Sequence, residues 1–201
     1  MLWSVAEDTE ASLVIRRSRF IAWVVPLNDE SEVEGHLGQS RQRWPGATHY
    51  VFAYRLDDRH PGRGYDAGEP HGTAGAPVLK AIAQRGLYFT LVIVVRYFGG
   101  IRLGTAGLVE AYHQAAAEAL DKAQKVPVID AVRVVAVVPY SAWQSLQEWM
   151  AGRQGWYKAD YAETVKVTLH VEPSEVEPLT AWIGQRGGKV VETAAVGWQR
   201  P

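Results

Sequence analysis

Hydrophobic and polar positions in the first part of the chain switch repeatedly between the spacing of strands and the spacing of helices. Alternating or continuous apolar runs predict strands at Ser12–Leu27, Thr48–Leu56 and Leu87–Tyr97. The last run contains the sequence Leu-Val-Ile-Val-Val, which is typical of a strand covered on both faces. Capping residues, apolar spacing and alanine content predict three helices between and after these strands, at Asp29–Arg43, Thr73–Gln84 and Thr105–Lys122.

The pattern breaks near Pro127, and six further elements follow in the order strand, helix, strand, strand, helix, strand. The predicted strands are Ala131–Val138, Gly155–Tyr161, Thr164–Val171 and Lys189–Val196, and the predicted helices are Ser141–Arg153 and Ser174–Arg186. This βαββαβ order is typical of a ferredoxin-like domain, with helices on one face of an antiparallel sheet. We therefore predict an α+β protein with one domain at residues 1–128 and a ferredoxin-like domain at residues 129–201.

The composition is that of a protein with a buried core, since 47% of the 201 residues are apolar and 21% are charged. The 21 basic residues nearly balance the 22 acidic ones, so binding to nucleic acid requires a local basic patch. The absence of cysteine excludes disulfides, thiolate catalysis and cysteine-based metal sites. No run approaches the roughly twenty apolar residues of a spanning helix, and residues 1–10 lack an apolar secretion core. We predict a cytoplasmic location without membrane association.

The most informative stretch is Arg96-Tyr97-Phe98-Gly99-Gly100-Ile101-Arg102-Leu103-Gly104-Thr105-Ala106-Gly107, between an apolar strand and an alanine-rich helix. Glycines let the backbone bring its N–H groups close to a ligand, and the first amides of a helix favour a phosphate or carboxylate. We predict an anion-binding loop made by Arg96, Tyr97, Phe98, Gly99, Gly100, Arg102, Gly104 and Thr105. Thr105-Ala106 stands where a phosphate-binding P-loop needs Lys-Ser/Thr, so the loop is not that of a nucleoside triphosphatase.

A second glycine-rich segment, residues 66–77, also leads into a helix. We predict that Glu69, His71, Gly72 and Thr73 belong to the same anion-binding surface, with Thr73 capping a helix from Ala74 and Glu69 accepting backbone N–H bonds. Asp66, Glu69 and His71 also leave open an acid/base pair, and His49 would add a second imidazole for a metal if the fold brought it near. Because no helical His-x-x-x-His or comparable spacing is present, we assign no metal. We also assign no cofactor and no catalytic residue.

The segments Gly-Glu-Pro-x-Gly-Thr-Ala-Gly-x-Pro and Arg-Tyr-Phe-Gly-Gly, in this order, resemble the IMPACT/YigZ family over roughly residues 16–120. The chain departs from the family pattern at Ala67, Ala106 and Glu110. The resemblance implies that the N-terminal domain has the fold of ribosomal protein S5 domain 2 and that the C-terminal domain is ferredoxin-like, as in a translation elongation factor. For the eukaryotic relatives it implies a role in translational control.

These observations favour a regulator of translation that binds RNA, the ribosome or a translation factor, rather than an enzyme. Arg96 and Arg102 would contact phosphates, and one ring of Tyr97 or Phe98 would stack on a base while the other is buried. The alternative is an enzyme or binding protein for a small phosphorylated or carboxylated metabolite, with Glu69 or His71 moving a proton. A third reading is a protein-interaction module in which the glycine turns are architecture alone.

Overall fold

The computed structural model describes residues 2–58 and 60–199, which form a mixed α+β protein. This confirms the fold class predicted from the sequence. The chain divides into two compact units, one at Leu2–Val126 and one that starts at Pro127.

The first unit is built on an antiparallel sheet of five strands in the order β2-β3-β6-β4-β5. The strands of this sheet are β2 (Thr9–Ile15), β3 (Ser18–Pro26), β4 (His49–Arg55), β5 (Arg63–Tyr65) and β6 (Thr90–Tyr97). A short strand outside this sheet, β1 (Leu2–Val5), precedes them. The helices of the unit are α1 (Val33–Arg43), α2 (Gly75–Gln84) and α3 (Gly104–Lys122). The sheet therefore places β4 between β5 and β6, the two strands that lead into the glycine-rich segments.

Both faces of this sheet are covered. Helices α2 and α3 pack on the face that carries Phe20 and Val92, and α1 packs on the face that carries Trp23 and Ile93. In β6, Thr90 to Arg96 are all buried. This confirms the prediction that the continuous apolar run is a strand covered on two sides, and it places the end of β6 at the edge of the core.

The predicted single strand at Ser12–Leu27 is wrong, because the chain reverses there to form the β2–β3 hairpin. Arg16 and Arg17 make the turn with φ of 44° and 66°, and Ile15 pairs with Ser18. Two-residue hairpin turns require positive φ and are usually marked by Asn-Gly or Asp-Gly. An Arg-Arg pair gives no such signal, so the apolar run on either side of it looked continuous.

The second unit follows the predicted βαββαβ order. Its elements are β7 (Lys125–Val138), α4 (Tyr140–Ala151), β8 (Gly155–Tyr161), β9 (Val165–Val171), α5 (Val176–Gln185) and β10 (Lys189–Gln199). The strands β10, β7, β9 and β8 are antiparallel neighbours in that order. Leu146 of α4 and Leu179 of α5 pack on one face of the sheet, against Val134 and Leu169. Among the described residues of this unit, no helix packs on the opposite face.

Candidate functional site

The start of α3 opens into a cleft of about 390 Å³. After β6, Gly100 and Gly104 adopt φ of 83° and 75°, which turns the chain sharply into the helix. No described side chain caps the N-terminus of α3. The cleft is lined by Thr48, His49, Glu69, Pro70, Arg96, Phe98, Arg102, Leu103, Gly104, Thr105 and Leu108. The two glycine-rich segments and the start of β4 thus meet at one place, which sequence spacing alone does not establish.

A buried charge network underlies the cleft. The Glu69 and Arg96 side chains are only 4% and 6% exposed, and Arg96 Nη1 donates to Glu69 Oε1 at 2.6 Å. The Tyr112 hydroxyl donates to the same oxygen at 2.7 Å. His49 Nε2 lies 3.7 Å from that oxygen, and His49 Nδ1 lies 3.0 Å from the Ala67 carbonyl. The expectation that Glu69 accepts backbone N–H bonds is wrong, because buried side-chain donors occupy its carboxylate.

Tyr112 acts in this network as a permanent hydrogen-bond donor. Burial, followed by the hydrogen bond to Glu69, raises the pKa of the Tyr112 phenol far above its ordinary value. Tyr112 lies with Leu108, Ala111 and Ala115 on the packing face of α3, where the helical pattern alone indicates no polar partner. A tyrosine hydroxyl on an otherwise apolar helix face was the signal that a buried acceptor lies opposite.

Arg96 and Arg102, predicted together as the cations of the loop, have different environments. Arg96 Nη2 donates to Ser18 Oγ at 3.3 Å, and its guanidinium lies 5.4 Å from the centre of the Phe98 ring. Arg96 Nε is buried without a hydrogen-bond partner in the described chain. Arg102 is exposed, and no described residue pairs with it. Arg96 therefore belongs to the buried floor of the cleft. The charge of Arg102 faces solvent and is not neutralised by any described residue.

The two rings of the loop are also placed differently. Tyr97 packs against the core on the α1 side of the sheet, and its hydroxyl donates to the Pro45 carbonyl at 3.1 Å. Phe98 is 47% exposed and lines the cleft. Its backbone N–H donates to Thr48 Oγ1 at 3.0 Å, which fixes the ring at the mouth. Of the pair, Phe98 is the ring that a base can reach.

The start of α2 is closed by a side chain of the protein itself. Asp66 Oδ2 accepts the Gly72 N–H at 2.8 Å, and Asp66 Oδ1 accepts the N–H groups of Ala74 and Gly75 at 3.1 and 2.8 Å. Thr73 does not cap the helix, since its hydroxyl donates to the Pro70 carbonyl. The prediction of an anion site at Gly72 and Thr73 is therefore wrong. A carboxylate from six to nine residues upstream already satisfies the amides that a ligand would need.

Replacing Asp66 with asparagine is expected to lower the free energy of unfolding at neutral pH by about 1–2 kcal/mol. Burial opposes ionisation, but the three N–H bonds outweigh it and hold the Asp66 pKa below its ordinary value. Because the folded pKa is the lower one, this stabilisation is present above the unfolded pKa and is lost as pH falls through the folded pKa. Urea titrations of both proteins at neutral and acidic pH should show the difference shrinking with acid.

The exposed Asp130 offers a control for that comparison, and Asp130→Asn should change the free energy of unfolding by less than about 0.5 kcal/mol at either pH. An Asp66→Asn protein as stable as the Asp130→Asn protein would show that the cap contributes nothing.

The histidines considered as proton carriers or metal ligands do not converge. His71 is fully exposed, with Nδ1 3.9 Å from Asp66 Oδ2, and it does not line the cleft. Among residues 2–58 and 60–199, no group of three or more His, Asp or Glu side chains is placed to hold a metal ion. Glu69 is committed to Arg96 and Tyr112. The polar groups of the cleft that have no partner among the described residues are the Arg102 guanidinium and the first backbone amides of α3.

No helix in the described part of the chain has the length and apolar character needed to cross a bilayer.

Comparisons with known proteins agree with the motif resemblance. Residues 16–120 match the Impact N-terminal domain family. An IMPACT family member from the pol 5′ region of Thermus thermophilus is 46% identical over 127 residues, covering 63% of this chain and 68% of that protein. The IMPACT family member YvyE of Bacillus subtilis is 31% identical over 186 residues, covering 90% of this chain and 84% of its own.

A solved structure, described only as that of a hypothetical protein, shares the fold with a TM-score of 0.64 and 24% identity over 94% of this chain and 96% of its own. The family match spans more than half of the sequence, and YvyE aligns with nearly all of it. The chain belongs to the IMPACT family.

Proposed function

We propose that this protein binds single-stranded RNA, free or exposed on the ribosome, at the start of α3, and that it acts through this contact as a regulator of translation. The observation that carries the proposal is the uncapped start of α3, which faces a cleft bordered by Arg102 and Phe98. The amides and the free cation can contact the phosphate of a nucleotide, and the exposed ring can stack on its base.

The phosphate contact comes from the first turn of α3. The first N–H groups of a helix have no intrahelical acceptor, and the helix dipole adds to their attraction for an anion. Gly104 and Thr105 line the cleft, and Arg102 stands two residues before the helix with its guanidinium unpaired among the described residues. Arg16 and Arg17 add two exposed cations on the hairpin turn that contacts Gly99. Local cations thus compensate for the absence of an overall positive charge.

The base contact comes from Phe98. Its ring is half-exposed at the mouth of the cleft and rests near the guanidinium of Arg96. Stacking of a base on an aromatic ring contributes about 1–3 kcal/mol and tolerates any base. A ring beside a phosphate site suits an unpaired strand, because the bases of a duplex are stacked on one another. We assign the protein a role in translation because it belongs to the IMPACT family and because the motif resemblance implies translational control for the eukaryotic members.

Binding of a short fluorescein-labelled oligouridylate, followed by anisotropy between about 50 and 200 mM salt, tests the proposal. Affinity should fall as salt rises. Arg102→Ala should reduce the slope of log affinity against log salt by about 0.7, the value for one phosphate contact on a single strand. Phe98→Ala should weaken binding by about 1–3 kcal/mol and leave the slope unchanged.

The matched control is Arg41→Ala, which removes an exposed arginine from α1 on the opposite face of the sheet. This variant should bind like the parent protein. If Arg102→Ala and Arg41→Ala bind oligouridylate equally well, the start of α3 is not the RNA site.

A metabolite carrying a phosphate or carboxylate is the second candidate ligand, and the enclosed floor of the cleft favours it. A cleft of about 390 Å³ with a buried Glu69–Arg96 pair has the size and the few convergent polar groups of small-molecule sites. Thermal-shift measurements with small phosphate esters and carboxylates, each compared with oligouridylate, separate the two. A small ligand that stabilises the protein at low concentration, under conditions in which oligouridylate does not, would favour this candidate.

A further inference from the structure

The face of the second sheet opposite α4 and α5 carries a regular set of polar and aromatic side chains. Val134 and Ala136 of β7 and Val167 and Leu169 of β9 pack toward α4 and α5. Because side chains alternate along a strand, the residues between them lie on the opposite face. The register aligns this face in three rows across β8, β9 and β7: Trp156, His170 and Arg133; Lys158, Thr168 and Val135; Asp160, Lys166 and Val137.

The first row holds a pair of stacked rings. Trp156 and His170 lie on adjacent strands with ring centres 5.3 Å apart and planes at 17°. Burial, with a smaller contribution from Arg133, lowers the pKa of His170 and so disfavours the charged form of its ring. Arg133 ends the row, donating to Glu192 while its Nε is buried without a partner among the described residues. His170 covers one face of the Trp156 indole, so the row offers the other face of that indole, with a guanidinium at the opposite end of the row.

The rest of the face is predominantly basic. Lys158 and Lys166 are exposed, and Lys189 lies on the same face because it pairs with Val137. The acidic side chains are Asp160, opposite Lys166, and Glu192, bound to Arg133. Arg133 and the three lysines outnumber the two carboxylates, in a chain whose overall charge is −1. The excess positive charge is thus concentrated on the face that carries the rings.

We infer that this face, formed by β7, β8 and β9, is a binding platform for single-stranded nucleic acid, with a base stacked on the face of Trp156 that His170 leaves free and phosphates held by Lys158, Lys166 and Arg133. A four-stranded sheet with rings on its open face and cations around them is a known arrangement for unpaired nucleotides. Duplex nucleic acid does not fit this chemistry because its bases offer no free ring face. The inference does not rest on the cleft at α3, since it uses other residues in the other compact unit.

Cross-linking separates the two surfaces within one experiment. The full chain is mixed with an oligouridylate that contains photoreactive 4-thiouridine, irradiated, digested with trypsin and analysed by mass spectrometry. Cleavage after Arg153 and Lys158 releases residues 154–158 with Trp156, whereas cleavage after Arg96 and Arg102 releases residues 97–102 with Phe98. Labelling of residues 154–158 is expected from the platform, and duplex RNA in excess should not prevent it.

Two variants measure the contribution of the platform by anisotropy. Trp156→Leu should weaken oligouridylate binding by about tenfold, the equivalent of one lost stacking contact. Because that change can also disturb the sheet, Lys158→Ala/Lys166→Ala provides a second measure at two exposed positions. It should lower the salt slope by about 1.4, or about 0.7 for each phosphate contact. The charge-matched control, Arg153→Ala/Arg186→Ala at the ends of α4 and α5, should leave the slope unchanged.

The outcomes for the two sites are distinguishable. Labelling confined to residues 97–102, together with unchanged binding of the lysine variant, overturns the platform and leaves the α3 cleft standing. Labelling confined to residues 154–158, with a reduced salt slope for the lysine variant, supports the platform and overturns the cleft. A chain that binds neither oligouridylate nor its cross-linking analogue overturns both.

Discussion

Replacement of Glu69 by alanine is expected to lower the free energy of unfolding by about 3–5 kcal/mol, because it leaves the buried Arg96 guanidinium without its carboxylate. The Arg96 side chain is only 6% exposed, so its charge is largely desolvated. The Tyr112 hydroxyl loses its acceptor in the same step. Thermal denaturation followed by circular dichroism should show Tm falling by roughly 6–20 °C.

Glu110→Ala is the matched control, since Glu110 is an exposed glutamate on α3 and its loss should cost less than about 0.5 kcal/mol. Glu69→Leu/Arg96→Met should recover part of the stability lost in Glu69→Ala, because replacing both members of a buried pair with apolar groups removes the uncompensated charge. Equal Tm values for Glu69→Ala and Glu110→Ala would show that Glu69 does not hold the network together.

The network also explains why the site lies where it does. Glu69 belongs to the first glycine-rich segment, Arg96 to the end of β6 and Tyr112 to the middle of α3. One carboxylate therefore ties together the three pieces of chain that form the cleft. At the proposed site, a ligand would meet amides already held in position, so binding would spend little free energy on ordering them.

Much of the fold followed from the hydrophobic pattern. The β6 run and the βαββαβ order were readable because buried strands and amphipathic helices impose periods of two and 3.6 on the sequence. The β2–β3 turn was not readable, since Arg16 and Arg17 adopt positive φ without glycine or asparagine. Strand β5 was also missed, because its three residues are exposed and include Gly64, which carries no side-chain pattern.

The candidate site could be predicted only in part. The glycine loop before α3 was recognisable because glycine and helix-start signals are local in sequence. The Asp66 cap and the Glu69–Arg96 pair depend on long-range contacts, such as the 27-residue separation between Glu69 and Arg96. The sequence shows which carboxylates and cations are present, but only the three-dimensional structure shows which of them form pairs. Arg102 is left as the unpaired cation beside the loop among the described residues.

Gly99→Ala is the second substitution with a large expected effect, because Gly99 lies directly against the β2–β3 turn. A Cβ at this position would lie 2.0 Å from the carbonyl carbon and 2.1 Å from the oxygen of Arg17, and 2.5 Å from the Ser18 nitrogen. These are backbone atoms, so the hairpin or the loop must move. We expect a loss of about 1–3 kcal/mol in the free energy of unfolding, measured by urea titration. Oligouridylate binding should fall with it, because the same movement displaces Phe98.

Substitutions at two other glycines distinguish the effect of steric contact from the effect of backbone conformation. Gly38, inside α1, has open space around it, and Gly38→Ala should stabilise the protein by up to about 1 kcal/mol through helix propensity. Gly100 has φ of 83° and no neighbour within 4 Å, so Gly100→Ala should cost about 1–2 kcal/mol from backbone strain alone. If Gly99→Ala proves as stable as Gly38→Ala, the loop does not rest on the hairpin. In that case the turn could not hold Phe98 and the start of α3 in place for a ligand.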